Sequence, residues 1–276
     1  MLRCNLGSSV KYLAFLPALG RHHILQNRMS TSPNPVAAVC QVTATPDKEA
    51  NFSACKQLLE EARQRGACMV FLPEGFDYIG SSREETLSMS EPLGGDIISR
   101  YTQLARDLDV WVSLGGFHER GHDWENDRRI YNSHVIVNNK GDILSVYRKS
   151  HLFDVELPEK GVSLKESAFT IPGASLVPPV QTPIGRVLLR ARAIETQCFV
   201  LAAAQVGRHH EKRSSYGHAL AVDPWGEVVG DCGGEKPGMV LVEINLDKVN
   251  RTRKNMPVQQ HRRDTAFYHS MSQTSL

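Results

Sequence analysis

Met69-Val70-Phe71-Leu72-Pro73-Glu74 is an apolar strand that ends in a carboxylate, and the segments on either side of it decide how it is housed. Upstream, Val36-Ala37-Ala38-Val39-Cys40-Gln41-Val42 reads as another buried strand. Between the two, Thr45-Pro46 predicts an N-cap followed by a proline in the first helical turn. Phe52, Cys55, Leu58, Leu59 and Ala62 then recur at helical spacing until Gly66 closes the helix. The unit is strand, helix, parallel strand. Downstream, Ile97, Ile98, Tyr101, Leu104, Ala105 and Leu108 share one face of a second helix, and Val110 to Leu114 follows as a strand. The texture then changes to hairpins. Tyr131–Val137 and Ile143–Tyr147 flank Asn138-Asn139-Lys140-Gly141-Asp142, and Ala219–Val222 and Glu227–Val229 flank Asp223-Pro224-Trp225-Gly226. The mixture predicts an α/β (α+β) fold, with sheets covered by helices packed outside them.

The 276 residues, 41% hydrophobic and 22% charged, are enough for a large buried core in one domain, since no linker or repeat divides the body. A net charge of +2 with both signs interspersed gives no reason to expect nucleic acid as a partner. No apolar run approaches the ~20 residues that span a bilayer, so no membrane partner is expected. The six cysteines, Cys4, Cys40, Cys55, Cys68, Cys198 and Cys232, form no CxxC pattern. They read as reduced thiols rather than disulfides or a zinc site. Cys40, Cys55 and Cys68 fall on core faces, and Cys232, in Asp231-Cys232-Gly233-Gly234, reads as exposed and open to oxidation.

The first 46 residues contain no Asp or Glu, while Arg3, Lys11, Arg21 and Arg28 alternate with Leu13, Phe15, Leu16, Ile24 and Leu25. An acid-free, basic and apolar segment suits a mitochondrial transit peptide; a disordered tail is the plainer reading. Residues 1–34 are assigned to it, 35–263 to the folded domain and 264–276 to a C-terminal tail. Initiation at Met29 would give a cytoplasmic form.

Glu74 follows residues that are all apolar or proline, so its carboxylate emerges from a low-dielectric floor that pushes it toward the range of a working base. Lys149 closes the strand Ser145-Val146-Tyr147 and precedes Ser150-His151-Leu152-Phe153, where an ammonium can be held; Lys140, at a hairpin tip, reads as a surface lysine. These two fragments together resemble the nitrilase, or carbon-nitrogen hydrolase, family from Val36 to about Arg263. The resemblance implies a four-layer α-β-β-α sandwich and an amidase without metal or cofactor. It also implies roles: Glu74 as base, Lys149 as clamp on the oxyanion, and Glu166, in Leu164-Lys165-Glu166-Ser167, as a second glutamate bracing the site. Family members of this kind are commonly homo-oligomers.

The same resemblance exposes a gap. The family's cysteine nucleophile lies on a strand-to-helix elbow, in a C-Y/F-D-x-R-F/Y-P-E stretch. That stretch belongs between Thr182–Arg186 and Leu188–Glu195, which are here fused through Val187 alone. No nucleophilic cysteine is found, and the sandwich is expected to be incomplete at the missing strand, elbow and helix near residues 187–188. Cys198, the nearest thiol in sequence, reads as a small buried hydrophobe.

Gln205 to His218 clusters imidazoles and cations, but adjacent histidines project differently and no carboxylate or thiol completes a metal ligand set. It reads as a polar loop near the pocket, where Arg208 or Arg213 could hold an anionic substrate. Gly94-Gly95-Asp96 lacks the Lys-Ser/Thr of a phosphate loop and reads as a helix cap. Within the family, Tyr147–Glu156 and Gln205–His218 are most similar to members that hydrolyse deaminated glutathione to an α-keto acid and cysteinylglycine. The resemblance therefore implies a small anionic amide or peptide-like substrate. An ω-amidase acting on α-ketoglutaramate, or a non-catalytic member acting through subunit interaction, are the alternatives.

Overall fold

The computed structural model describes residues 34–157, 162–175, 177, 182–183 and 196–258. The acid-free N-terminal segment before residue 34, the Val187–Leu188 junction and the C-terminal tail lie outside the described residues. In chain order the elements are β1 (Val36–Val42), α1 (Lys48–Gln64), β2 (Ala67–Leu72), α2 (Arg83–Met89), α3 (Asp96–Leu108), β3 (Trp111–Arg120), β4 (Ile130–Val137) and β5 (Ile143–Arg148). A ribbon of β6 (Asp154–Leu157) and β7 (Val162–Lys165) comes next, then β8 (Val200–Ala202), β9 (Ala204–His210), β10 (Arg213–Tyr216), β11 (Leu220–Val222), β12 (Val228–Asp231), β13 (Gly238–Glu243) and α4 (Leu246–Asn255).

The first unit is the expected strand, helix, parallel strand, with Ala37 opposite Met69 and Val39 opposite Phe71. The helix starts later than Thr45-Pro46 suggests. Asn51 bonds both the backbone N–H and the carbonyl of Thr45, at 2.9 and 2.7 Å, and so holds Thr45 outside the helix. Asp47 becomes the cap, accepting from the Ala50 N–H at 2.9 Å. Gly66, at φ +86°, turns the chain into β2.

The large sheet runs β10-β9-β1-β2-β3-β4-β5, with β13 antiparallel to β1. β3 does not stop at Leu114. Its register with β4 shifts between Leu114 and Phe117, and the strand continues to Arg120 across this bulge. Gln205 to His218 is not a loop either: it is the hairpin β9–β10, with β9 parallel to the end of β1. α2 carries no buried residue, which is why no apolar periodicity announces it; Ser82 caps it through the Glu85 N–H.

One face of the sheet packs under α1 and α3, where Cys55, Leu59, Ala62, Ile97, Ile98, Tyr101 and Leu104 meet Ala38, Val70, Val112 and Val135. Each fully buried leucine, isoleucine or valine among them contributes roughly 1.5–3 kcal/mol. Tyr101 stands edge-on to Phe52 and Phe76, each 5.1 Å away. The opposite face, at Ala37, Val39 and Met69, packs on Ala221 of the small sheet β12-β11-β8, on Phe199 and Ala219 immediately before β8 and β11, and on Val249 of α4. Helices, large sheet, small sheet and α4 therefore succeed one another as an α-β-β-α arrangement.

Candidate active site

Glu74 is the second residue after β2, where the chain turns through Gly75 at φ +69°. Two contacts fix that turn. The Gly75 N–H donates to the Gly116 carbonyl at 2.9 Å, and the Gln205 side-chain amide donates to the carbonyls of Glu74 and Gly75 at 3.0 and 3.1 Å. The bulged Gly115-Gly116 pair allows β3 to come this close. A Cβ on Gly115 would sit 2.6 Å from the Pro73 carbonyl carbon, and one on Gly116 would sit 2.6 Å from Glu74 Cγ and 2.5 Å from Asn132 Oδ1.

Lys149 follows β5, with its backbone N–H on the Asn132 carbonyl at 2.9 Å. Its side chain is only 5% exposed and places Nζ 2.7 Å from Glu166 Oε2. Glu166 opens a single 3-10 turn, Glu166–Ala168, directly after β7. That turn is pinned where Asp154 accepts from the Ser167 N–H and hydroxyl at 3.0 and 2.6 Å. The Phe153 N–H also reaches Glu166 Oε2, at 2.6 Å.

Asn132, on β4, joins the parts. Its amide donates to Glu74 Oε1 at 2.6 Å and reaches toward Glu166 Oε1 at 3.4 Å. Glu74, Lys149 and Glu166 are thus brought together around one amide and one ammonium. Burial pushes the Glu74 carboxyl up from its ordinary range; the Lys149 ammonium and the Asn132 hydrogen bond oppose this, while Glu166 adds to it. A half-buried carboxylate beside a buried ammonium suits proton transfer next to a site that stabilises negative charge.

The neighbouring contacts stiffen this arrangement. Arg148 forks onto Glu119 at 2.8 and 2.5 Å, and Ser133 bonds the same carboxylate at 2.6 Å, which holds the strand end that delivers Lys149. Asp77 accepts from the backbone of His118 and faces its Nδ1 at 2.9 Å, just beyond the Glu74 turn.

Asn132, Gln205 and the Gly115-Gly116 pair are absent from the expected site. An asparagine within the strand Tyr131–Val137 and a glycine pair beside an apolar strand were the available signals.

No described thiol bonds any of these groups. Cys40 and Cys55 are buried, and burial pushes both thiols up, Cys55 to about 12. Cys232 is half-buried rather than exposed, with Sγ 3.9 Å from the Val39 carbonyl oxygen, because the small sheet folds it toward β1. Burial raises its thiol as well. Cys198 is half-buried and bonds Thr196, with Arg253 3.9 Å from its sulfur. Among the described residues no group of three or more His, Cys, Asp or Glu is placed to hold a metal ion, and no helix is long and apolar enough to cross a membrane.

The family model for carbon-nitrogen hydrolase matches residues 36–189 and 185–254. The chain belongs to the carbon-nitrogen hydrolase family. It is 48% identical to the deaminated glutathione amidase of Bos taurus, covering 97% of this chain and 93% of that one, and 47% identical to the human protein of the same name, covering 95% and 92%. The solved Caenorhabditis elegans NitFhit protein superposes with a TM-score of 0.77 at 37% identity, over 85% of this chain and 66% of that one. The alignment with the cattle protein runs over 309 positions, more than the 276 residues of this chain, so that carbon-nitrogen hydrolase holds residues that this one lacks.

Proposed function

We propose that this chain is a form of a deaminated-glutathione amidase that lacks its nucleophile. The observation that carries the reading is the convergence of Glu74, Lys149 and Glu166 through Asn132. Two features support the missing segment: the alignment with the cattle relative is longer than this chain, and the family match breaks into two stretches that meet at 185–189. In the complete enzyme Glu74 takes the thiol proton and the thiolate attacks the amide carbon. Lys149 stabilises the resulting oxyanion, and Glu166 holds Lys149 in place. The amine of cysteinylglycine leaves with the proton that Glu74 returns. Water, deprotonated by the same glutamate, then cleaves the thioester to release the α-keto acid. Among the described residues no thiol bonds Glu74, Lys149 or Asn132, which supports a chain in which the first bond does not form.

The test is release of cysteinylglycine from deaminated glutathione by the purified chain, with α-ketoglutaramate as a second substrate. No turnover of either is expected. Turnover that disappears in Cys198→Ala would overturn the reading by making Cys198 the nucleophile. Absence of turnover with a retained homo-oligomer, measured by sedimentation, supports a role through subunit contact.

The acid-free first 46 residues support a mitochondrial location, with a cytoplasmic form that starts at Met29. Met29→Leu is expected to remove the cytoplasmic form from fractionated cells. Cytosolic protein that always retains the first 28 residues would contradict that start site.

A further inference from the structure

His118 is locked from three sides beside the Glu74 turn. Its backbone N–H donates to Asp77 Oδ2 at 3.1 Å, its Nδ1 donates to Asp77 Oδ1 at 2.9 Å, and Tyr78 stacks on the ring with centroids 4.3 Å apart. The Asp77 carboxylate is fully buried, while the His118 side chain stays 22% exposed. An ionised carboxylate can only accept, so the Nδ1 hydrogen is fixed and Nε2 is the nitrogen that gains or loses a proton. The register of β3 and β4 sets the direction of the ring. Beyond the bulge the pairing is unbroken, with Phe117 opposite Ser133, His118 opposite Asn132 and Glu119 opposite Tyr131. Glu119 and Ser133 bond each other at 2.6 Å, so they share one face of the ribbon, and His118 and Asn132 share the other. On that second face the Asn132 amide holds Glu74 Oε1 at 2.6 Å. A positive charge on the ring acts on Glu74 and favours its carboxylate form. The other charged groups nearby are Lys149 and Glu166 beyond Asn132, and Lys48 of α1, which pairs with Glu91 and stands 5.7 Å from the Tyr78 ring centroid. Arg120, two residues further along β3, turns to the Ser90 carbonyl at 2.5 Å.

From this register and these contacts we infer that His118 is a positioning residue for the base: oriented by Asp77, it sets a protonatable ring beside Asn132 that keeps Glu74 available as a proton acceptor. The inference rests on the amidase reading above, in which Glu74 takes the thiol proton. Asp77 decides which nitrogen exchanges its proton and Tyr78 fixes the plane of the ring, so the charge arises at a fixed place and needs no reorganisation when Glu74 changes its own.

Carbon-13 NMR of the Glu74 carboxyl across a pH titration of the purified chain tests this without turnover, with Glu74→Gln assigning the resonance. His118→Gln is expected to move the Glu74 transition to higher pH by roughly 0.5 to 1 pH unit, the loss of one neighbouring cation. Were His118 only packing the turn, the same substitution would loosen it and admit water, and the transition would move down or stay. Either of those results overturns the inference. Coupling between two proton sites is reciprocal, so the His118 ring, followed by proton NMR, is expected to titrate at lower pH in Glu74→Gln by a similar amount. That second measurement needs only a folded Glu74 variant, so it decides the matter even where His118→Gln fails to fold, and an unchanged His118 transition overturns the inference. Thermal melts of each variant control for folding. Failure on these transitions leaves the amidase reading standing, since that reading is judged by release of cysteinylglycine.

Discussion

Glu74 carries a charge that its surroundings resist, and this is measurable without turnover. Burial raises its folded-state pKa above that of the unfolded chain, so its contribution to stability is fully present below the unfolded value and is lost as pH rises through the folded one. Glu74→Gln cannot ionise and can still accept from Asn132. It is expected to match the unsubstituted chain near pH 4 and to exceed it at pH 7 by on the order of 1 kcal/mol, read by urea denaturation at both values. An unsubstituted chain as stable as the variant at pH 7 would show that the carboxylate is not under strain. His134 works in the other direction. Burial lowers its pKa to about 4, and its ring faces the Ser113 hydroxyl at 2.9 Å. Its contribution is present above the unfolded value, about 6.5, and is lost as pH falls toward 4. His134→Gln should therefore flatten the acid limb of stability between pH 7 and 4 by about 2 kcal/mol, with a parallel acid limb as the contrary result.

At the scale of elements, the approach of β3 to the Glu74 turn depends on having no side chain at Gly116. Gly116→Ala would bring a methyl to 2.6 Å from Glu74 Cγ and 2.5 Å from Asn132 Oδ1, so β3 or the turn must shift. A cost of about 2 kcal/mol is expected, with a lower Glu74 pKa as the carboxylate opens to water, followed by carbon-13 NMR. Gly94→Ala, at a site with nothing within 4 Å, should stay within about 0.5 kcal/mol of the unsubstituted chain. The same elements show what could be read from residues alone. The helical spacing of Phe52 to Ala62 and the apolar strands beside it were legible because one face is buried along their whole length. α2 was not, since it buries nothing, and the β9–β10 hairpin was not, since its charged residues mask a ladder that only pairing with β1 completes. In the site, Glu74 and Lys149 announced themselves by their sequence contexts. Asn132 joins them through a fold contact 58 residues away from Glu74, which no local pattern encodes.

At the scale of the molecule, two demands fall on the stretch around Val187: it must join Thr182–Arg186 to Leu188 directly, and the family's elbow cysteine should lie there. On the reading proposed above a parallel crossover unit of a dozen residues or more is missing, and such a loss would leave a sheet edge and an apolar face without their cover. Both deficits should be repaired together if the rest of the site is intact. Insertion of the corresponding segment of the cattle relative between Val187 and Leu188 is expected to raise the thermal midpoint by several degrees, because new apolar surface is buried. It should also create turnover of deaminated glutathione where there was none. In that restored chain, Glu74→Gln and Lys149→Met should each lower kcat by about 100- to 10,000-fold, since in the proposed mechanism base and oxyanion clamp act in the same step. Substitution of the inserted cysteine by alanine should abolish turnover while keeping the higher midpoint, because its thiol serves chemistry and its helix serves packing. A midpoint that rises without any activity would place the fault in the convergence of Glu74, Lys149 and Glu166 rather than in the missing thiol.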